Sequence, residues 1–179
     1  VTGVQTCALP ICNYSIKLNK FDSADRYLDK ALAVLQKDPD ILLLSRIYWF
    51  EGYNADMNYN YLKAKTKKDS LDLLRESIYW NLKFVSLEKS YDFKEYRTYP
   101  YYTSIYYNLS SAYLKLNTRE DRISGLNYLY KTKSIVDTLA NMNFLKLIVY
   151  KALGDEKAKT GDYRAAINIY KDGLAKAEK

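Results

Sequence analysis

Histidine is absent from the 179-residue chain, which removes the commonest general base and the commonest metal ligand together. With only 3 prolines and 6 glycines there are too few breakers for a sandwich or barrel of many short strands, so long helices become the first expectation. No alternation of polar and apolar residues is sustained anywhere. Apolar runs are short as well: residues 41–44 form one of the longest, far less than a bilayer crossing requires, and no membrane-spanning segment is expected. There is no glycine-rich phosphate loop, no paired-cysteine motif and no serine-nucleophile elbow. These gaps leave no catalytic residue, metal or cofactor to expect, and a non-enzymatic role follows.

What the chain does have is 48% hydrophobic and 27% charged residues, a balance that excludes a disordered or collagen-like polymer. Residues 1–11 stand apart: they carry no charge and no amphipathic period, and Pro10 closes them just before helical sequence begins. They resemble the in-frame translation of a sequencing-library adapter, residue for residue, and are read as adapter-derived, non-native sequence outside the fold. Cys7 then belongs to that segment and Cys12 to its junction, so neither a disulfide nor a zinc site is expected. Residues 12–179 are read as one helical domain cut at its N-terminal side, with a second cut at its C-terminal side left open.

Within that domain Phe21, Ala24, Leu28, Ala31, Leu32 and Leu35 fall on one helical stripe. Asp38 and Pro39 read as a cap and first turn, opening a helix that carries Ile47, Tyr48, Phe50 and Ala55 and ends near residue 58. Residues 58–68, polar and lysine-rich, read as a loop before Ser70 opens the next helix, with Leu71, Leu74, Ile78, Leu82 and Val85. Tyr99-Pro100 marks another start, and Thr118 with Asp121 resembles a capping box ahead of Ile123, Leu126, Leu129 and Ile135. The last pair covers residues 141–159 and 162–176, divided by Gly161. The fold class is therefore all-α, about seven helices joined by short turns.

A longer period emerges when the second helix of each pair is aligned on its leading small residue, Ala24, Ser77, Gly125 and Ala166. A small residue belongs there because two helices approach closely. Tyr150, Leu153, Gly154, Tyr163, Ala166, Tyr170 and Gly173 in the last pair resemble a tetratricopeptide repeat, although Lys157 and Gly173 depart from its usual aromatic or aliphatic residue and alanine. Tyr106, Leu109, Ser110, Tyr113, Gly125, Leu129 and Thr132 form a similar unit. The unit running from Tyr48 and Gly52 to Ser77 is the poorest match, with Glu51 in place of leucine and Phe84 in place of a small residue. The first hairpin reads as its second helix alone.

The resemblance implies a right-handed α-solenoid of antiparallel hairpins whose first helices line a concave, ligand-holding groove. It is also similar to the repeat portions of bacterial signalling proteins, where such arrays act as sensor or interaction modules. On the matching faces stand Arg46, Trp49, Tyr53 and Asp56, then Tyr107, Asn108, Ser111 and Lys115, then Lys151, Asp155 and Lys159. Aromatic and cationic groups together would hold an extended protein or peptide by stacking and by pairing with its carboxylates. Packing of Trp49 and Tyr53 against the next hairpin is an equally good account of those two rings.

Eight tyrosines between Tyr91 and Tyr113, among them Tyr96, Tyr99, Tyr101 and Tyr102, exceed what one helix can bury. Packing between hairpins explains most of them, and those left exposed suit an interface, self-association included. The net charge is +7, and residues 61–70 supply Lys63, Lys65, Lys67 and Lys68 against Asp69. A nucleic-acid-binding helical repeat using this basic stretch is the alternative function; without an accompanying motif, a solvated lysine-rich turn is the better reading and nucleic acid is not expected. Asp155-Glu156 likewise reads as solvated surface, since neighbouring helical residues point apart.

Overall fold

A computed structural model of the chain describes residues 3–35, 40–66, 71–91, 100–140 and 142–178. Among the described residues there are eight helices and no strand. They are α1 (Gly3–Lys17), α2 (Phe21–Leu35), α3 (Ile41–Thr66), α4 (Leu71–Leu87), α5 (Pro100–Leu116), α6 (Arg119–Val136), α7 (Asn143–Lys159) and α8 (Tyr163–Ala177).

The helices pack as four consecutive pairs, α1 on α2, α3 on α4, α5 on α6 and α7 on α8, and each pair leans on the next through α2·α3, α4·α5 and α6·α7. The first helices also meet one another, α1 with α3 and α3 with α5, so they share a side of the molecule. No single central core results. Apolar side chains gather instead in three clusters along the chain: Leu28, Ala31 and Ile47 in the first, Leu74, Phe84, Ile105 and Leu109 in the second, Leu129, Val136, Val149 and Leu153 in the third. Such a succession is what hairpins with two apolar faces each must build.

Two sequence expectations are corrected. The count is eight helices because residues 3–17 form a helix that runs through Pro10 and completes the first hairpin. Ala8, Leu9, Cys12 and Ile16 lie on one side of it and are buried against α2 and α3, whereas Pro10 faces outward. Ala8 and Leu9 thus pack with the fold, while Pro10 and Ile11 are exposed. The second correction is that α3 continues through residues 58–66. Tyr59 is buried on the inner side one turn beyond Ala55, and Lys63 and Lys65 lie back along α3 with their ammonium groups on the hydroxyls of Tyr59 (3.1 Å) and Tyr61 (2.7 Å). Lysine stems that cover aromatic rings are compatible with a helix, and only the heads need water.

Helix ends follow local chemistry. Thr118 accepts from the Asp121 amide at 3.2 Å, and Asp162 from the Ala165 amide at 3.1 Å. The start of α3 is capped by Asp40, which accepts from the Leu43 amide at 3.0 Å; Asp38, Pro39 and Ser70 lie outside the described residues. Gly161 turns between α7 and α8 at φ +81°, a conformation that favours glycine.

The aligned small residues sit where helices cross. Ala24, Ser77 and Ala166 are buried, Ser77 donates to the Gly52 carbonyl at 2.8 Å, and a Cβ on Gly125 would lie 2.8 Å from Leu114 Cγ. Gly173 departs from alanine for the same reason: a Cβ there would run into Cβ of the buried Tyr150 and come within 2.9 Å of its Cγ, atoms too close to the backbone to swing away.

Candidate functional site

The first helices place the predicted face in two parts. On α3, Arg46, Trp49, Tyr53 and Asp56 recur at helical spacing along one side. The Trp49 indole N–H donates to Ser104 Oγ on α5 at 3.0 Å, its ring stacks on Tyr53 with centroids 5.1 Å apart, and its edge meets Phe50. Trp49 is therefore committed to joining hairpins, the packing account given above for that ring. Arg46 is exposed and pairs with no side chain among the described residues.

On α5 and α7 the face opens. Tyr107, Ser111 and Lys115 from α5 and Asp155 and Lys159 from α7 line one cleft of about 170 Å³, together with Ser110, Leu114, Ala152 and Glu156. Asn108 is not among the lining residues, and its buried amide nitrogen has no hydrogen-bond partner among the described residues. Ser110 is a lining residue, and its buried hydroxyl has no hydrogen-bond partner among the described residues. Leu109 and Leu153 are buried in two different apolar clusters and Gly154 packs against the ring of Tyr170; Tyr170, on α8, donates its hydroxyl to Asp155 at 2.8 Å.

The electrostatics differ from the sequence expectation in one important respect. The lysines assigned to a ligand's carboxylates, unlike Arg46, already have carboxylates of their own. Lys115 reaches across to Asp56 on α3 at 2.5 Å and to Asn60 at 3.2 Å, Lys151 pairs with Asp155 at 2.6 Å, and Lys159 pairs with Glu156 at 2.5 Å. Burial opposes it, but hydrogen bonds from Lys151 and Tyr170 hold the Asp155 carboxyl below its usual range. Burial, reinforced by Asp56 and Asp155, pushes the Tyr107 hydroxyl up, so it stays a neutral donor.

Asp155-Glu156 is thereby corrected as well. Glu156 is buried and spans two helices, taking Arg122 of α6 at 3.1 Å besides Lys159, because the turn of α7 that carries it faces α6 rather than water. Of the tyrosine run, Tyr106 is buried, with its hydroxyl on Glu88, and Tyr91, Tyr107 and Tyr113 are half-buried. Tyr96 and Tyr99 lie outside the described residues, as do the side chains of Tyr101 and Tyr102. Of the basic stretch, Lys63 and Lys65 rest on tyrosines of their own helix, and Lys67 and Lys68 lie outside the described residues.

Sequence reasoning missed a polar seam between α2 and α3. Glu51, noted only as a departure from leucine, is buried there beside Asn54, which donates to Asp25 and to the Phe21 carbonyl. Burial, with Asp25, Asp29 and Glu76 nearby, pushes the Glu51 carboxyl up to about 8. The same burial raises Asp25 and pushes the Cys12 thiol up to about 12. A charged residue at a position that helical spacing turns inward was the available signal.

With fold and face in view, the class is plain: an all-α protein of eight helices packed in adjacent pairs. No protein-family model, curated protein or solved structure matches the chain. No helix among the described residues is long and apolar enough to cross a membrane.

Proposed function

We propose that the chain is a non-catalytic, tetratricopeptide-like solenoid that holds an extended protein or peptide segment on the side formed by α3, α5 and α7. The observation that carries this reading is the cleft between α5 and α7, where five residues marked by the repeat pattern converge. Its lining offers groups suited to a peptide backbone: the neutral Tyr107 hydroxyl and Ser111. Since Lys115, Lys151 and Lys159 are already paired, ligand carboxylates are secondary, and the alternating charges along the rim select polar sequence over a strongly acidic one. A role as the sensor or interaction module of a regulatory protein rests on the family resemblance.

Ser111 is half-buried at the cleft rather than in the core, so Ser111→Trp fills the space and leaves the helices folded. Peptides selected on the native chain from a random display library are expected to bind this variant roughly tenfold more weakly or worse, a loss of about 1.4 kcal/mol or more. Equal affinity for both chains, with unchanged circular dichroism, contradicts the assignment.

A further inference from the structure

The seam between α2 and α3 is rich in hydrogen-bond acceptors and short of donors. Glu51 and Asn54, one turn apart on α3, are only 4% and 2% exposed. The Asn54 amide nitrogen is spent on Asp25 and on the Phe21 carbonyl at 3.3 Å, which leaves its buried Oδ1 without a hydrogen-bond partner. Asn81 repeats the pattern on α4, where its amide lies directly against Gly52: the nitrogen donates to the Ser77 carbonyl at 2.6 Å, and Oδ1 is buried and unpartnered. Acceptors stripped of water in this way are rare and costly.

The charges that reach Glu51 are all negative. Asp25 and Asp29 face it from α2 and Glu76 from α4, while α1 contributes the Cys12 thiol; none of these groups falls in residues 1–11. No lysine or arginine among the described residues pairs with any of the four carboxylates. A proton on Glu51 removes one negative charge and supplies the seam with a donor. Its loss does the reverse, adding a charge to a place that water hardly reaches.

We propose that this seam is a proton-gated hinge: with Glu51 protonated the α1–α2 hairpin is latched onto α3, and with Glu51 ionised the hairpin is released while the later helices stay packed. The architecture confines the opening. The first hairpin joins the rest through α2·α3 and α1·α3, and its apolar cluster, with Leu28, Ala31 and Ile47, is separate from the other two. Freed from α3, two helices of 15 residues each are too short to stay formed, so release appears as lost amide protection. An opening that frees one buried proton grows about tenfold for each pH unit between 4.5 and about 8, the values of the Glu51 carboxyl in water and in the seam. The gate therefore works across neutral pH.

Hydrogen exchange of the full chain, read by mass spectrometry and corrected for intrinsic rates, tests the hinge at about pH 5.5 and about pH 7.5. Protection in α2 is expected to fall about a hundredfold between the two, with α7 and α8 unchanged. In the Glu51→Gln chain, uncharged and carrying its own donor at either pH, α2 keeps its protection at both. Glu51→Leu serves as the second variant should that substitution unfold the chain. Constant protection of α2 in the native chain overturns the proposal, and so does a native-like fall in the variant. A fall shared equally by all eight helices overturns it too, since the chain then unfolds as one instead of opening at the seam.

Discussion

Glu51→Leu is expected to make the protein more stable above about pH 8 and to flatten its stability profile between the usual carboxylate range and that value. The Glu51 carboxyl is buried between α2 and α3, near Asp25, Asp29 and Glu76 and without a basic partner among the described residues, and it ionises only at about 8 instead of 4.5. An acid with a folded-state pKa above its unfolded value contributes its stability in full below 4.5, loses it progressively up to about 8, and lacks it beyond. Each unit of displacement corresponds to about 1.4 kcal/mol, so the difference across the window is on the order of several kcal/mol. Urea midpoints for the native and Glu51→Leu chains, measured on either side of that window, check it. The native midpoint falls as pH rises and the variant falls much less; parallel profiles contradict the assignment.

Phe84→Ala, which likewise restores the kind of residue the repeat pattern calls for, is expected to act in the opposite direction. The Phe84 ring is fully buried on α4 in the cluster with Leu74, Ile105 and Leu109. Truncating it removes apolar contact and leaves a cavity that two rigid helices close only in part, a loss of about 3–5 kcal/mol. That is a large share of the roughly 5–15 kcal/mol that holds a domain folded, so thermal unfolding should shift by many degrees. A loss under about 1 kcal/mol would mean that neighbouring side chains collapse into the space. Glu51 and Phe84 mark the same departure from the family pattern in one hairpin, yet the first opposes the packing around it and the second completes it.

The local grammar of this fold was legible. Helical spacing located the second to eighth helices, Thr118 with Asp121 announced a cap that forms, and Ala24, Ser77, Gly125 and Ala166 marked the crossings. What was not legible depended on partners distant in sequence. Residues 58–66 read as a loop because four lysines surround them, while the buried face of Tyr59 is defined only once α4 and α5 are present. Residues 3–11 show little helical signal alone, and Ala8 and Leu9 become core only against α2 and α3. On the candidate face, spacing brought the right residues to one side but said nothing of their pairing. Lys115 meets Asp56 and Trp49 meets Ser104 across more than fifty residues of chain, and those contacts change both groups from free ligand contacts to parts of the scaffold.

Site-specific photocrosslinking tests the central claim most directly. A photoreactive phenylalanine analogue replaces Lys159 at the exposed rim of the cleft, and in a second chain Tyr130, which is 50% exposed on α6. Peptides selected on the native chain are then irradiated with each. A groove formed by the first helices predicts covalent peptide at position 159 and little at position 130. Labelling that is equal at both positions, or confined to 130, would contradict it.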